Sequence, residues 1–452
     1  MERWSETAMF YHIYPLGLCG APERNDLCSA PQPRLERLHE WAGHLEDMGA
    51  TALYLGPVFE SGSHGYDTAD YFQVDRRLGT GQQLREAVAI FKRRNIRVIL
   101  DAVFNHVGRD FWAFRDVLQN REKSRYCGWF ENLEFGKRNP CGDDFTYANW
   151  GGHFSLVKLN LQNPEVKEHL LEAAAQWIRD YDIDGLRLDA ADCVSLEFLG
   201  ELARRCRKLR PDFWLLGEVI HGDYRKWANP GCLDSVTNYE AFKGLYSSLN
   251  DKNYFEIAWT LNRQYGAGGI YKGLYLYNFA DNHDVDRVAS TLKDPRHLYP
   301  LYCLLYTMPG IPSLYYGSEA GWAGKKLPGT DMPLRPEMQV RSLVERAPQP
   351  PLLQAIKRLA EIRNSSDELR HGGYKQLFVS GEHFAFLRGT SSGNTLVVLN
   401  SSSEAHTLKL NLSEFVGRTL VDLLNPGWTL PIRTGETAIP LTPHSARIAA
   451  IK

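Results

Sequence analysis

Gly185-Leu186-Arg187-Leu188-Asp189 is a run of strand length in which two leucines alternate with Gly185, Arg187 and Asp189. Along a strand, alternate residues share a face, so Leu186 and Leu188 pack one way while Arg187 and Asp189 point the other. Two more acids stand in matching places. Glu218 closes Phe213-Trp214-Leu215-Leu216-Gly217-Glu218, and Asp284 follows shortly after the run that begins at Tyr275 and passes through Phe279 to His283. A single carboxylate after an apolar run is usually a cap or a loop group. Its recurrence at several strand ends, with Asp101 closing another run just before Asn105 and His106, argues that these acids converge on one rim of a parallel sheet.

The chain around these runs alternates in kind. His12 to Leu16 ends an apolar run; Leu35, Leu38, Ala42 and Leu45 recur at helical spacing with Gly49 as the stop; Thr51 to Val58 reads as the next strand. Thr80 is placed to cap a helix carrying Leu84, Val88 and Phe91, after which Arg97 to Phe104 is rich in Val, Ile and Leu. The rhythm then breaks: Val107 to Asn160 is polar, Gly-rich and aromatic, as an inserted unit would be. It resumes with Asn163 as N-cap, Pro164 in the first helical turn, and Leu170, Leu171, Ala174, Trp177 and Ile178 on one face. Later strands are expected at Phe213 to Glu218, Leu233 to Asn238, Tyr275 to Phe279 and Pro312 to Tyr316. Eight strands with intervening helices fit a closed (β/α)8 barrel; an open doubly wound sheet would carry a Gly-rich phosphate turn after its first strand, which is missing from this sequence.

Beyond Asn364-Ser365-Ser366 the pattern changes to short alternating strands: Tyr374 to Val379, His383 to Leu387, Thr395 to Leu399, Thr407 to Leu412, Thr419 to Leu424 and Ala446 to Ile451. The expected organisation is a barrel over residues 1–106 and 161–368, an inserted domain over 107–160 and a C-terminal β-sandwich over 369–452.

With 452 residues, 43% of them hydrophobic, the chain can bury a large core, and its net charge of −2 without a long basic run offers nothing to nucleic acid or anionic lipid. Neutral substrates fit better. The first eight residues carry Glu2, Arg3 and Glu6 and lack the apolar centre of a signal peptide. The most apolar later stretch, Leu298 to Tyr316, is broken by Pro300, Pro309, Gly310 and Pro312 and reads as a buried helix followed by a strand, so no membrane span is expected. Eight dispersed cysteines without a C-x-x-C pair read as free thiols of a cytoplasmic protein; Cys193 has no neighbouring His to make it a nucleophile.

Converging carboxylates suit the hydrolysis of an acetal, which takes a proton donor for the leaving oxygen and a nucleophile or activated water at the anomeric carbon. Arg187 beside Asp189 is expected to favour the ionised form that a nucleophile needs. Partial burial at a strand end is expected to raise Glu218 toward the range of an acid.

Four ordered blocks carry a resemblance that extends over essentially the whole chain: D-A-V-F-N-H at Asp101 to His106, G-L-R-L-D-A-A-D at Gly185 to Asp192, G-E-V-I at Gly217 to Ile220 and F-A-D-N-H-D at Phe279 to Asp284. Together they resemble glycoside hydrolase family 13, the α-amylase family. The resemblance implies a retaining double displacement with Asp189 as nucleophile, Glu218 as general acid/base and Asp284 stabilising the transition state. It implies too that Arg187, His106, His283 and Asp101 line the subsite of the reacting glucose, that Tyr66, in H-G-Y-D-T-A-D-Y, forms an aromatic platform beneath it, and that Asp331 and Arg335, in G-T-D-M-P-L-R-P, grip its far hydroxyls. The alternative for Tyr66 is a core residue, and for the last pair a surface ion pair of little weight.

Within the family, V-K-L-N at Val157, F-R-D-V-L-Q-N at Phe114, G-E-V-I-H at Gly217 and V-T-N-Y-E at Val236 look most like the neopullulanase and cyclomaltodextrinase branch. That branch usually carries an additional N-terminal β domain that helps build a dimer; this sequence starts at the barrel, so dimerisation by that route is not expected. Ile220 stands where the branch tends to have a bulky aromatic, which weakens any inference about α-1,6 cleavage or glycosyl transfer. Asp192-Cys193 replaces the Lys-His of secreted α-amylases, so their calcium site is incomplete although Asn105 remains, and no essential metal or other cofactor is expected. The expected partner is an α-glucan or maltooligosaccharide, cut at α-1,4 bonds. Transfer of the glycosyl group to a second sugar remains an alternative. A third, a non-catalytic relative, is disfavoured because such proteins have typically lost one of the acids and carry a membrane anchor. Trp129 and Trp150 could stack on sugars or brace the insertion; chain length, branching, endo or exo action and oligomeric state are not set by the sequence.

Overall fold

The computed structural model describes residues 3–452. Eight parallel strands form its central sheet: β1 (Phe10–Ile13), β2 (Ala52–Leu55), β3 (Arg97–Ala102), β4 (Gly185–Leu188), β5 (Trp214–Gly217), β6 (Ser235–Val236), β7 (Tyr277–Phe279) and β8 (Ile311–Tyr315). They run in the order β6-β5-β4-β3-β2-β1-β8-β7, and a parallel bridge from Thr237 to Tyr277 ties the two outer strands together. That bridge closes a (β/α)8 barrel.

The inward faces supply a core of their own, in which Phe10, Ala52, Tyr54, Ile99, Trp214, Leu216, Tyr277, Phe279 and Ile311 pack together. Gly185 takes an inward position because a Cβ there would lie 2.4 Å from the Trp214 carbonyl oxygen and 2.8 Å from Ile99. The outward leucines, Leu186 and Leu188 among them, join the larger core shared with the helices. Thr80 and Gln83 form a reciprocal capping box on the helix Gly81–Arg93, and Asn163 caps Pro164–Tyr181 through the Glu165 N–H. Both helix starts follow the sequence signals.

Strand ends differ from expectation by a few residues. Leu16 lies in a short helix, Pro15–Leu18, because Pro15 fixes its first turn; Leu233–Asn238 contributes only Ser235–Val236 to the sheet. A hairpin of Phe59–Ser61 with Thr68–Val74 follows β2 and was not foreseen. Between β3 and β4, His106–Gly108, Asn149–Trp150 and His153–Lys158 form a small antiparallel sheet, and Glu134–Phe135 pairs with Phe145–Thr146. The C-terminal strands form a six-stranded antiparallel sheet, and His406–Asn411 pairs separately with Glu436–Leu441. Thr429–Pro431 and Glu436–Leu441 escaped the sequence reading because proline and charge interrupt their apolar alternation. No helix of the described residues is long and apolar enough to cross a membrane.

Candidate active site

The ladder register of β3 and β4 puts Arg187 directly opposite Asp101, and both side chains point inward. Arg187 Nη1 donates to Asp101 Oδ1 at 2.9 Å and to Asp189 Oδ1 at 2.9 Å, while Nη2 lies 2.8 Å from Glu218 Oε1. One buried guanidinium therefore gathers carboxylates from the ends of three neighbouring strands. Glu218 Oε2 accepts from the Ala190 N–H at 3.0 Å, a contact that depends on Ala190 standing in the left-handed region at φ 43°. Such strain in a non-glycine residue is tolerated where the surroundings enforce it, commonly at functional sites.

Among the described residues Asp189 Oδ2 accepts no hydrogen bond, and His106 Nε2 is 3.8 Å away. Burial pushes its carboxyl well above the usual carboxylate range; Arg187 opposes this, and Glu218, Asp101 and Asp284 reinforce it. Arg187 favours the ionised form, as the sequence led us to expect, but burial and the neighbouring carboxylates outweigh it. One guanidinium serves several carboxylates, and its charge does not offset them together with the lost hydration.

Asp284 has the opposite balance. Burial would raise it, but His283, Arg335 and Arg187 outweigh burial and hold it well below the ordinary range. Arg335 Nη2 donates to Asp284 Oδ1 at 2.8 Å, its Nε donates to the His283 carbonyl at 3.0 Å, and His283 Nε2 lies 2.9 Å from Asp284 Oδ2. Asp331 does pair with Arg335, at 3.1 Å, yet this is no surface ion pair: Arg335 is 5% exposed and stands over the ring of Tyr14. Arg335 acts first on Asp284.

Tyr66 lies in the same pocket, 8% exposed, its ring stacked on that of His283 at 5.2 Å and its hydroxyl bonded to His283 and, at 2.9 Å, to Asp101 Oδ2. Asp101 also accepts from Tyr54 at 2.6 Å. Buried and fully engaged, Asp101 anchors Arg187 and two tyrosines. His106 is neutral, lowered to about 3 by burial first and then by His64; its Nδ1 faces the Asn105 amide at 3.2 Å, leaving a buried Nε2 without a partner beside Asp189. His283 Nδ1 is likewise buried and unpartnered. Both are donor or acceptor sites that a hydroxylated ligand would satisfy.

All ten residues singled out in the sequence thus meet in one connected network. Sequence reasoning missed Tyr54 and His12, which stack at 4.0 Å beneath the site; their inward positions on β2 and β1 were the available signal. The insertion resolves its tryptophans. Trp129 is buried and donates to Glu165 at 3.0 Å, whereas Trp150 is 37% exposed with its ring 5.6 Å from that of His106. Around Asn105, one amide oxygen is buried without a partner while Asp192 and Cys193 are exposed.

The profile described as "Alpha amylase, catalytic domain" matches residues 38–347. The chain belongs to the α-amylase family of glycoside hydrolases. It is 32% identical to a cyclomaltodextrinase from a Bacillus species, over 90% of this chain and 75% of the relative. It is also 32% identical to neopullulanase 2 of Thermoactinomyces vulgaris, over 98% and 78% of the two chains. The cyclic α-maltosyl-(1→6)-maltose hydrolase of Arthrobacter globiformis superposes with a TM-score of 0.83 at 26% identity, covering 100% of both chains. In this α-amylase family hydrolase the inward ends of β3, β4 and β5 form the candidate catalytic centre.

Proposed function

We propose that the protein is a retaining α-glucan hydrolase that cleaves α-1,4-glucosidic bonds in maltooligosaccharides, cyclodextrins or related glucans. The observation that carries this reading is the sharing of Arg187 by Asp189 and Glu218, each bonded to a different terminal nitrogen of the same guanidinium. Carboxyls so held favour the separation of about 5–5.5 Å that suits a covalent glycosyl-enzyme over the wider gap an inverting enzyme leaves for water.

In the first step Glu218 gives its proton to the glycosidic oxygen as Asp189 Oδ2 attacks the anomeric carbon; the C–O bond to the leaving sugar breaks and a glycosyl ester forms. Arg187 keeps Asp189 Oδ1 in place. For this the Ala190 N–H must release Glu218 Oε2, with Glu218 protonated and Asp189 ionised. In the second step Glu218 takes a proton from water, which attacks the anomeric carbon and frees Asp189 with net retention. Asp284, kept ionised by His283 and Arg335, stands by as the positive charge of the oxocarbenium-like transition state develops. His106 Nε2, His283 Nδ1 and Tyr66 line the same pocket and would hold the reacting glucose, and the exposed Trp150 offers a face to a neighbouring one. We place the protein in the cytoplasm, since all eight cysteines are free thiols.

The test is to follow linear, cyclic and branched glucans by NMR and chromatography. Initial release of the α-anomer supports the reading; the β-anomer as first product overturns it. Oligosaccharides longer than the substrate, dominating at high concentration, would make the enzyme a transglycosylase with the same first step.

A further inference from the structure

Away from the acids, Asp294, His297 and His444 come together where the barrel meets the C-terminal sheet, and one potential ligand atom from each lies within 4.8 Å of the others. Asp294 caps and His297 closes the 3-10 turn Pro295–His297 that leads into the helix Leu298–Thr307; His444 immediately precedes the last strand, Ser445–Ile451. The two imidazoles face each other with ring centroids 5.3 Å apart. We propose that these three side chains form a binding site for a divalent transition cation of the zinc class, which clamps the C-terminal sheet to the barrel.

His297 is only 7% exposed, and its Nε2 lies 2.9 Å from the Ser401 carbonyl oxygen. A carbonyl can only accept, so Nε2 carries a proton, and in the neutral imidazole Nδ1 is then the lone-pair nitrogen. That is the arrangement by which a metal-bound histidine is oriented, its other nitrogen donating to an oxygen of the protein. Nδ1 is buried and has no hydrogen-bond partner. Both ring nitrogens of His444 are buried without a hydrogen bond of good geometry among the described residues, the nearest acceptor being the Ser401 backbone, which His297 already engages. Orphaned imidazole nitrogens are rare in folded interiors, and each calls for a ligand or another explanation. His444 also occupies the left-handed region at φ 46°, where its backbone N–H donates to the Ser402 carbonyl at 3.0 Å. Asn or Gly would be at ease there; the sequence instead places an imidazole.

Two imidazole nitrogens and one carboxylate oxygen match the three-ligand sets of zinc, with water completing a tetrahedron. The donors need to close in by less than about 1 Å to reach zinc–ligand bonds of roughly 2.0–2.1 Å. Arg296 is the one charged competitor in contact with the cluster among the described residues: its Nε and Nη2 hold the Asp294 carboxylate at 3.0 Å and 2.6 Å. Its side chain is largely exposed and can yield one oxygen to the cation while keeping the other.

The experiment uses the full chain, freed of any affinity tag, stripped with chelator and titrated with zinc chloride. Bound zinc after desalting and the melting temperature are both read. Asn accepts the backbone conformation of His444, so His444→Asn should fold at least as well as the wild type without metal; His297→Gln keeps a donor for Ser401. The wild type should retain one zinc more than either variant and melt higher with rising zinc as mass action requires. Either variant should bind at least about tenfold more weakly, with its rate of glucan hydrolysis unchanged. Cobalt(II) in place of zinc should give the ligand-field absorption of a four-coordinate site in the wild type and lose it in His444→Asn. Equal zinc content and equal thermal response in the wild type and His444→Asn would overturn the proposal.

Discussion

Asp189→Asn exchanges a carboxylate oxygen for an amide nitrogen of nearly equal size at a position that is 8% exposed, and two measurable quantities should move in opposite directions. Turnover collapses, because the amide is a poor nucleophile; losing such a group costs about 10⁴-fold or more in kcat, equivalent to roughly 5 kcal/mol of transition-state stabilisation. Stability at neutral pH rises. The Asp189 carboxyl is raised by burial, with Glu218, Asp101 and Asp284 adding to the effect against Arg187. An unfolded Asp gives up its proton near pH ~3.9, whereas the folded carboxyl retains it to higher pH, so across that interval the native state binds more protons. Wild-type stability therefore falls as pH climbs from about 4 towards the raised value, and the deficit persists above it. Asn does not titrate, and its amide oxygen can still accept from Arg187 Nη1. The two proteins should melt together near pH ~4 and separate as pH rises. At neutral pH the variant should lead by about 0.5–2 kcal/mol, the size of an ordinary stabilising substitution, or about 1–4 °C. Scanning calorimetry over that range, with kcat on a maltooligosaccharide, reads both effects. A variant less stable than the wild type at every pH, or a gap that does not change with pH, would show the charge balance to be misjudged.

Arg335→Met removes one of the cations that hold Asp284 low, so the acid limb of the kcat/KM profile should move to higher pH; loss of the 2.8 Å charge-assisted bond should cost roughly ten- to hundredfold in rate. An unshifted limb would leave Arg335 with packing alone. Gly17→Ala should give a milder form of the same defect, since its Cβ would lie 2.1 Å from the Arg335 carbonyl oxygen and the backbone there must move. Full activity would mean that Arg335 tolerates displacement. Trp150→Ala should raise KM about two- to tenfold with little change in melting temperature, as loss of an exposed stacking face worth about 0.5–1.5 kcal/mol implies. Trp129→Ala should instead destabilise by about 3–5 kcal/mol as a buried aromatic; the reverse pattern would exchange their roles.

The barrel was legible because its strands are buried on both faces and read as near-continuous apolar runs, and because Thr80 and Asn163 announce their helices. Residues whose meaning depends on register were not. Nothing in the sequence says that Arg187 would be shared among Asp101, Asp189 and Glu218, so its pull toward an ionised Asp189 was legible while the burial and neighbouring carboxylates that outweigh it were not. Tyr54 and His12 read as ordinary strand residues until barrel closure turns them inward beneath the site. Trp129 and Trp150 have the same composition around them; the fold of the insertion buries one and exposes the other. The cluster of Asp294, His297 and His444 joins positions remote in the chain, and no local pattern could have suggested it.

Register also separates what is rigid in this site from what can vary. Arg187 is a ladder partner of Asp101 and of Leu216, Asp189 follows two residues along the same strand, and Glu218 comes next after the paired Gly217. Slipping any of these strands by one residue would turn the whole set to the outer face, so the proposed nucleophile, the proposed acid and their shared guanidinium are fixed by the same hydrogen bonds that close the barrel. Asp284, Asp331, Arg335 and Trp150 lie beyond the barrel strands, on loops and on the inserted sheet, and are held by side-chain contacts that loops of other lengths could remake. The proposed bond-breaking chemistry is therefore bound to the fold, while Asp284, Asp331, Arg335 and Trp150 depend on the loops after β3, β7 and β8. A family built this way can keep one reaction and change its substrate without disturbing the sheet.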